Sequence, residues 1–544
     1  MSTTEYIEKI DLFEERPRKI GRETLFISGL CLFIAVLLRA VSLGRRELFG
    51  DEFFGLEYAT GPRPNLFEEL FRGHTPLYYE ILRGWVKLVG HGSDALLRLP
   101  SLVFAIAACI AFFFFAFRFL RGLAFVLALV GFALNPTLVH SAHEVSPYAL
   151  VSLLVVLSHY YAIRALDEGQ RRHWILWGLA SVLGILAHPF FLFVILSQFL
   201  FALLRPRKTP RQFVILSAAG TFSIIALMVI GAVYAKKHFA GVNPDAPSLA
   251  DLARGLVSVT LGEFYRYEYG DRLFLRATLY LFVFVSLLLS WVYYQLRQAE
   301  AGALPENVVW VDETQDVLGR WKRLSLASFL SYLWLGFVVP AVGIMVVGGF
   351  ASGHFLSASY FVVCLPPMLV LIAAGIDAAP GRAGTIALAV LFVVFMSAYN
   401  YFELTDVGYG VKRVVERLEQ SQFSKSTDAF LIVSPGGLRK PLKRYIDETP
   451  RRSEYAYTEI KPPAQPESCD AQMEAVTKDR KRIFVLYHDD FRRIGKSERS
   501  LVREWFGLRK NIWDSAKKWT LSNADKTEFR VYVRIDPTQP PPTD

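Results

Sequence analysis

Apolar residues in this chain come in blocks about twenty long, the length a helix needs to cross a hydrocarbon layer of roughly 30 Å. A soluble chain of 544 residues would alternate shorter apolar and polar stretches instead. Backbone groups placed in lipid must be satisfied within the segment itself, so each block is constrained to be a helix. The blocks fall at 24–43, 99–117, 123–141, 148–166, 174–187, 189–204, 213–235, 273–296, 324–348, 360–377 and 383–401. That gives about eleven spans. His188-Pro189 interrupts an apolar stretch, and two short spans meeting at a helix-breaking proline fit it best.

Composition supports this and removes alternatives. Hydrophobic residues make up 53% and aromatics 14%. Cys31, Cys109 and Cys364 lie inside apolar blocks, and Cys469 stands alone in a polar region. Neither a disulfide framework nor a Cys/His zinc spacing is present. The formal charge of +10 reads through topology, with no nucleic-acid partner implied. Arg16, Arg18, Lys19 and Arg22 precede the first span; Arg118 and Arg121, Arg171 and Arg172, Arg205 to Arg211, and Arg320 to Arg323 follow. With eleven spans, all of these face the cytoplasm. The first span is expected to serve as an uncleaved anchor. Residues 44–98, the turn at 142–147, His188, the loop 236–272 and the tail then lie on the extracytoplasmic side of the cell (inner) membrane.

The tail differs in kind. Val411–Leu418 has helical patterning, whereas Ala429–Val433, Arg482–Tyr487 and Phe529–Val533 read as strands. Such mixing predicts a small α/β domain. The Pro-rich stretch 460–467 is expected to be a loop. The fold class is therefore an α-helical polytopic membrane protein with a small C-terminal α/β extracytoplasmic domain. Its divisions are 1–23 (cytoplasmic), 24–404 (transmembrane), 405–536 (α/β) and 537–544 (a disordered end).

Candidate chemistry begins at Asp51-Glu52, just beyond the first span. Adjacent carboxylates at a membrane surface are costly unless used or paired. Neighbours on a helix point in different directions, so one can face a reaction while the other orients a group. The plain alternative is an acidic helix cap. His74-Thr75-Pro76-Leu77-Tyr78-Tyr79 follows, then an aromatic-rich helix with Trp85 and Lys87, suited to the interface plane.

These residues resemble a known family. An Asp-Glu pair after the first span, a His-x-Pro-Leu-Tyr-Tyr block, and Leu97-Arg98-Leu99-Pro100-Ser101 at the second span resemble bacterial members of the protein mannosyltransferase group. That group is glycosyltransferase family 39, in the GT-C superfamily of polyprenyl-phosphate-sugar-dependent glycosyltransferases. His143-Glu144 through Leu150, and Ala187-His188-Pro189-Phe190-Phe191, continue the resemblance. It is good over 24–205, loose over 213–405, and general in the tail.

The resemblance implies a GT-C-like membrane domain and inverting transfer of a sugar from a polyprenyl phosphate to a lipid, glycan or protein acceptor. Asp51 would be the general base, taking the proton of an acceptor hydroxyl, with Glu52 beside it. The leaving phosphate needs donors instead of a strong acid. Candidates for the phosphate are His188, Lys236, Lys237 and Arg98, and His74, His143 and Glu144 are candidate substrate-binding residues. Each has a structural alternative: the lysines can snorkel, Arg98 can pair with Glu80 or Asp94, Glu144 can form a salt bridge, and His188 can be a packed polar group at the helix break. His74 can cap a helix. Tyr148 reads as packing, and Glu263–Tyr269 as an interfacial aromatic belt. Relatives often carry Arg-Tyr where this chain has Ser359-Tyr360; a different donor, or charge from His354, would account for that. No cofactor is required, and a metal is not demanded. Two other classes compete: a transporter or flippase of lipid-linked glycans, which calls for mid-span ionisable groups and repeat symmetry, and a non-catalytic scaffold, which leaves Asp51 dispensable.

Overall fold

A computed structural model describes residues 22–48, 50–62, 76–90, 92–120, 122–204, 218–220, 222–223, 282–293, 326–351, 358–405, 410–433, 439–450, 452–460, 466–487, 502, 505–506, 508–509, 512–522 and 527–534. Its helical part comprises α1 (Arg22–Ala40), α2 (Gly50–Thr60), α3 (Pro76–Val89), α4 (Asp94–Phe119), α5 (Gly122–Leu134), α6 (Pro136–Ala142), α7 (Tyr148–Glu168), α8 (Arg171–Ala187) and α9 (Phe191–Leu204). Then come α10 (Phe282–Tyr293), α11 (Leu326–Ala351), a 3-10 turn (Ala358–Cys364) leading into α12 (Leu365–Asp377), and α13 (Arg382–Thr405).

Among the described residues three helices are long and apolar enough to cross a membrane, or four counting the bent α5–α6 pair. Shorter apolar helices, including α1, α9, α10, α11 and α13, occupy other predicted blocks. The block 213–235 lies almost wholly outside the described residues. The outer surface is apolar along helical stripes: Leu25, Phe26, Leu30, Phe33 and Leu37 on α1, Val338, Val342 and Val346 on α11, and Ile386, Val390 and Val394 on α13 are exposed. Stripes of that kind suit a hydrocarbon solvent.

Local chemistry sets the breaks. The predicted span 123–141 bends by 41° where Asn135 caps α6, its side chain accepting from the Leu138 N–H at 3.0 Å, and Pro136 opens the helix with a φ already suited to it. α8 ends at Ala187 because the residue before a proline is pushed out of the helical region; His188 is extended, with φ −163° and ψ 133°. The two-helix expectation at this proline therefore holds. Gly184 lets Phe191 fold back across the break, since a Cβ there would run into the Phe191 ring. α4 starts earlier than expected, at Asp94, where Ser93 accepts from the Leu96 N–H.

The sheet unit contains α14 (Val411–Gln420), β1 (Asp428–Val433), α15 (Arg439–Asp447), β2 (Tyr457–Ile460), α16 (Pro466–Thr477), β3 (Arg482–Tyr487), β4 (Trp513–Ser522) and β5 (Thr527–Arg534). Strand order is β2-β1-β3-β5-β4. β1 runs parallel to β2 and β3, while β5 is antiparallel to β3 and β4. Phe430 and Ile432 pack on one face with Val414 and Leu418 of α14, while Leu431 and Val433 pack on the other with Met473 of α16. The loop expected at 460–467 is narrower: Ile460 closes β2 and Pro466 opens α16, a favoured place for proline.

Candidate active site

The segment between α1 and α2 is held by one side chain. Arg98, on the second turn of α4, is fully buried. Its Nε and one terminal nitrogen donate to the two Glu52 carboxylate oxygens, both at 2.9 Å. The remaining N–H groups reach the carbonyls of Leu43 at 2.9 Å, Arg46 at 2.7 Å and Glu47 at 3.1 Å. A guanidinium has five donors, and here all five are engaged. Arg98 is thus paired with neither Glu80 nor Asp94 by its side-chain hydrogen bonds, and it is saturated before any phosphate arrives. Its fork geometry suits the task, because one planar group can fix a carboxylate and a chain of carbonyls together.

Glu52 also accepts the Val145 N–H at 2.8 Å. That bond joins the two motifs that the sequence left 93 residues apart: the acidic pair at the head of α2 and the His143-Glu144 turn. Gly55, one turn along α2, packs so closely that an added Cβ would lie 3.3 Å from the Val145 carbonyl. Glu52 faces inward. Asp51 precedes it by about 100° of helical rotation; its backbone lies in α2, and its side chain is outside the described residues.

Glu144 is the acceptor end of a short chain of polar groups. Arg46 donates to His140 Nδ1 at 3.1 Å, so that nitrogen is unprotonated and the ring hydrogen sits on Nε2. His140 Nε2 then meets a Glu144 oxygen at 2.6 Å. Glu144 thus accepts a hydrogen bond from a neutral histidine at i−4. His143 Nε2 donates to the Arg39 carbonyl at 3.0 Å, and Arg39 itself donates to the carbonyls of Ala35, Phe132 and Ala133. His143 therefore braces the wall behind the turn.

His188 sits near the same end. Its ring lies 5.9 Å from that of Tyr148, the first residue of α7, and 5.7 Å from Tyr360. Phe190 completes the cup, 5.0 Å from His188 and 5.3 Å from Tyr360. His188 Nδ1 accepts the Phe190 N–H at 3.2 Å, which places the imidazole hydrogen on Nε2. The structure thus gathers residues 51–52, the 143–145 turn and the His188 cup at one end of the bundle. His74, Lys236, Lys237, His354 and the loop 236–272 lie outside the described residues.

Sequence reading missed Arg46, His140, Glu47 and Tyr445. The signal for His140 was its closeness in sequence, since Glu144 lies in the turn just past the end of α6. Glu47 accepts from the Val411 N–H at 2.7 Å and from the Lys412 N–H, so it caps α14 from outside. Burial pushes its carboxyl up to about 7, while those two N–H groups and the Lys412 charge pull it back. Among the described residues no group of three or more His, Cys, Asp or Glu side chains could hold a metal ion.

Apolar helices with exposed apolar stripes and a clamp of Arg98, Glu52 and the 143–145 turn at one end of α4 suit a membrane protein. Residues 73–232 match the family described as dolichyl-phosphate-mannose-protein mannosyltransferase. Among solved structures, the chain is similar to ArnT from Cupriavidus metallidurans bound to undecaprenyl phosphate, at 12% identity over 94% of this chain and 98% of that one, with a TM-score of 0.42. It is also similar to the oligosaccharyltransferase of Archaeoglobus fulgidus in the apo form, at 11% identity over 85% and 69%, with a TM-score of 0.44. The oligosaccharyltransferase AglB from the same organism, in complex with an inhibitory peptide and a dolichol-phosphate, is similar at 13% identity over 86% and 70%, with a TM-score of 0.41. No curated protein sequence matches.

Proposed function

We propose that the protein transfers a sugar from a polyprenyl-phosphate donor to a hydroxyl-bearing acceptor on the extracytoplasmic side, with inversion, and that Asp51 is the general base. The observation that carries this reading is the Arg98–Glu52–Val145 clamp. It fixes the head of α2 beside the 143–145 turn, and so fixes where residue 51 begins. The acceptor oxygen attacks the anomeric carbon as its proton passes to the Asp51 carboxylate. The bond from that carbon to the phosphate oxygen breaks, and the electron pair leaves with the polyprenyl phosphate. The leaving group is already a stabilised anion, so donors around its oxygens suffice. His188, through Nε2–H, is the described candidate for one of them; Lys236 and Lys237 are the others. Arg98 serves the reaction by holding the loop.

The test is a comparison of cell-envelope glycans by mass spectrometry with and without the protein, followed by complementation. Asp51→Asn keeps size and removes the proton acceptor. The glycan that depends on the wild type should fall by about 10²- to 10⁴-fold, the usual worth of a general base. Binding of polyprenyl phosphate to the purified variant should change little, because the base acts mainly in the transition state. Near-normal glycan with Asp51→Asn would remove Asp51 from the mechanism.

A further inference from the structure

The loop that Arg98 holds from the membrane side is held from the other side by the sheet unit. The Tyr445 hydroxyl, on α15, accepts the Leu48 N–H at 2.9 Å and donates to Asp94 Oδ2 at 3.0 Å. A hydroxyl has one donor and two acceptor sites, so both bonds form at once. Tyr445 and Leu48 are buried, which makes the Leu48 N–H costly to leave unmade. Asp94 opens α4, one turn before Arg98, and also receives Lys412 Nζ at 2.6 Å and Arg444 at 3.0 Å. Glu47, the residue before Leu48, caps the first turn of α14. Glu47 and Leu48, the two points at which the sheet unit holds the loop, lie four and three residues before Asp51.

We propose that the sheet unit is part of the transfer machinery, with Tyr445 a positioning residue that sets the approach of the Asp51 loop through the Leu48 N–H and Asp94. The inference rests on the reading of Asp51 as base. A 1 Å misplacement of a reacting group costs as much as about 10²-fold in rate, so one hydrogen bond at the root of the loop is enough to matter. The exposed Lys440–Glu57 pair adds little of its own, but it marks the same docked face.

Tyr445→Phe keeps the ring and removes only the hydroxyl. The dependent envelope glycan should fall on the order of 10- to 100-fold, with normal accumulation of the protein and unchanged binding of polyprenyl phosphate. A Glu57→Cys/Lys440→Cys pair placed in the same background should still cross-link, which separates a misplaced loop from a detached unit. Asp428→Asn breaks the pair with Arg482, away from the loop, and should leave the glycan at its wild-type level. Full glycan in Tyr445→Phe beside a silent Asp51→Asn would overturn the positioning role alone. Full glycan in Asp51→Asn would overturn the base reading instead. Loss of polyprenyl-phosphate binding in Tyr445→Phe, or an equal loss in Asp428→Asn, would also overturn the inference by making the defect one of donor binding or general stability.

Discussion

Arg98 illustrates how one residue can serve function without touching a substrate. Its side chain has no exposure, and that of Glu52 has 2%. Removing one partner of a buried pair leaves an uncompensated charge, at a cost of about 3–5 kcal/mol. Arg98→Ala should therefore reduce accumulation in the membrane and lower the melting temperature of the purified protein. Arg98→Lys should repair little, because an ammonium has three donors on a single nitrogen and cannot span the carboxylate and the carbonyls. A melting temperature unchanged in Arg98→Ala would refute the clamp. Glu47 makes a second prediction at this scale. Its folded pKa, at about 7, lies above its ordinary carboxylate value, so the folded state binds the proton more tightly than the unfolded chain. The contribution of this group is then full below the unfolded pKa, near 4.5, and is lost as pH rises through about 7. Lys412 opposes the shift and Asp94 adds to it, but both are weaker than burial. Thermal melts from pH 5 to 8 should show stability declining toward pH 8, and Glu47→Gln should flatten that slope. An identical slope in the variant would assign the effect to another group.

At the scale of elements, the break between α8 and α9 decides where His188 goes. The proline stops α8, and the turn is tight enough that Phe191 packs on Gly184. Overfilling such a site costs about 1–3 kcal/mol. Gly184→Leu should lower the melting temperature by that equivalent and disturb the His188 cup. Gly178→Ala, on the same helix with nothing within 4 Å of an added Cβ, should be neutral. Equal behaviour of the two variants would contradict the packing described. The sheet unit repeats the lesson: β1 and β3 were legible because both faces are buried and the residues after the opening Asp428 and Arg482 are apolar or aromatic. β2 and β4 lie at the sheet edges, and β4, with exposed Asp514 and Lys518, carries the charge that edges use against unwanted pairing.

For the whole molecule, the bonds from Tyr445 to Leu48 and from Lys412 to Asp94 require the first loop and the sheet unit to share one side of the membrane. Glu57 and Lys440 are exposed and 2.7 Å apart. Single cysteines at either position should react with a membrane-impermeant reagent from the extracytoplasmic side, and the pair should be bridged by a short bifunctional reagent. Labelling of either position only from the cytoplasmic side would invert the proposed topology.

The sequence by itself determined the helical membrane class, most helix positions, the proline break at residue 189 and the central strands. Those features follow from local rules: apolar length, proline sterics, and short continuous apolar runs in the strands. Only the tertiary structure decided that Glu52 turns inward to Arg98, that His140 meets Glu144, and that the tail returns to grip Glu47 through the Val411 and Lys412 N–H groups and Leu48 through Tyr445. Such partners are separated by up to 397 positions, and a polar side chain in a sequence carries no mark of which remote donor will satisfy it. Burial supplies that choice, because a charge or N–H removed from water must find a partner wherever packing brings one within reach.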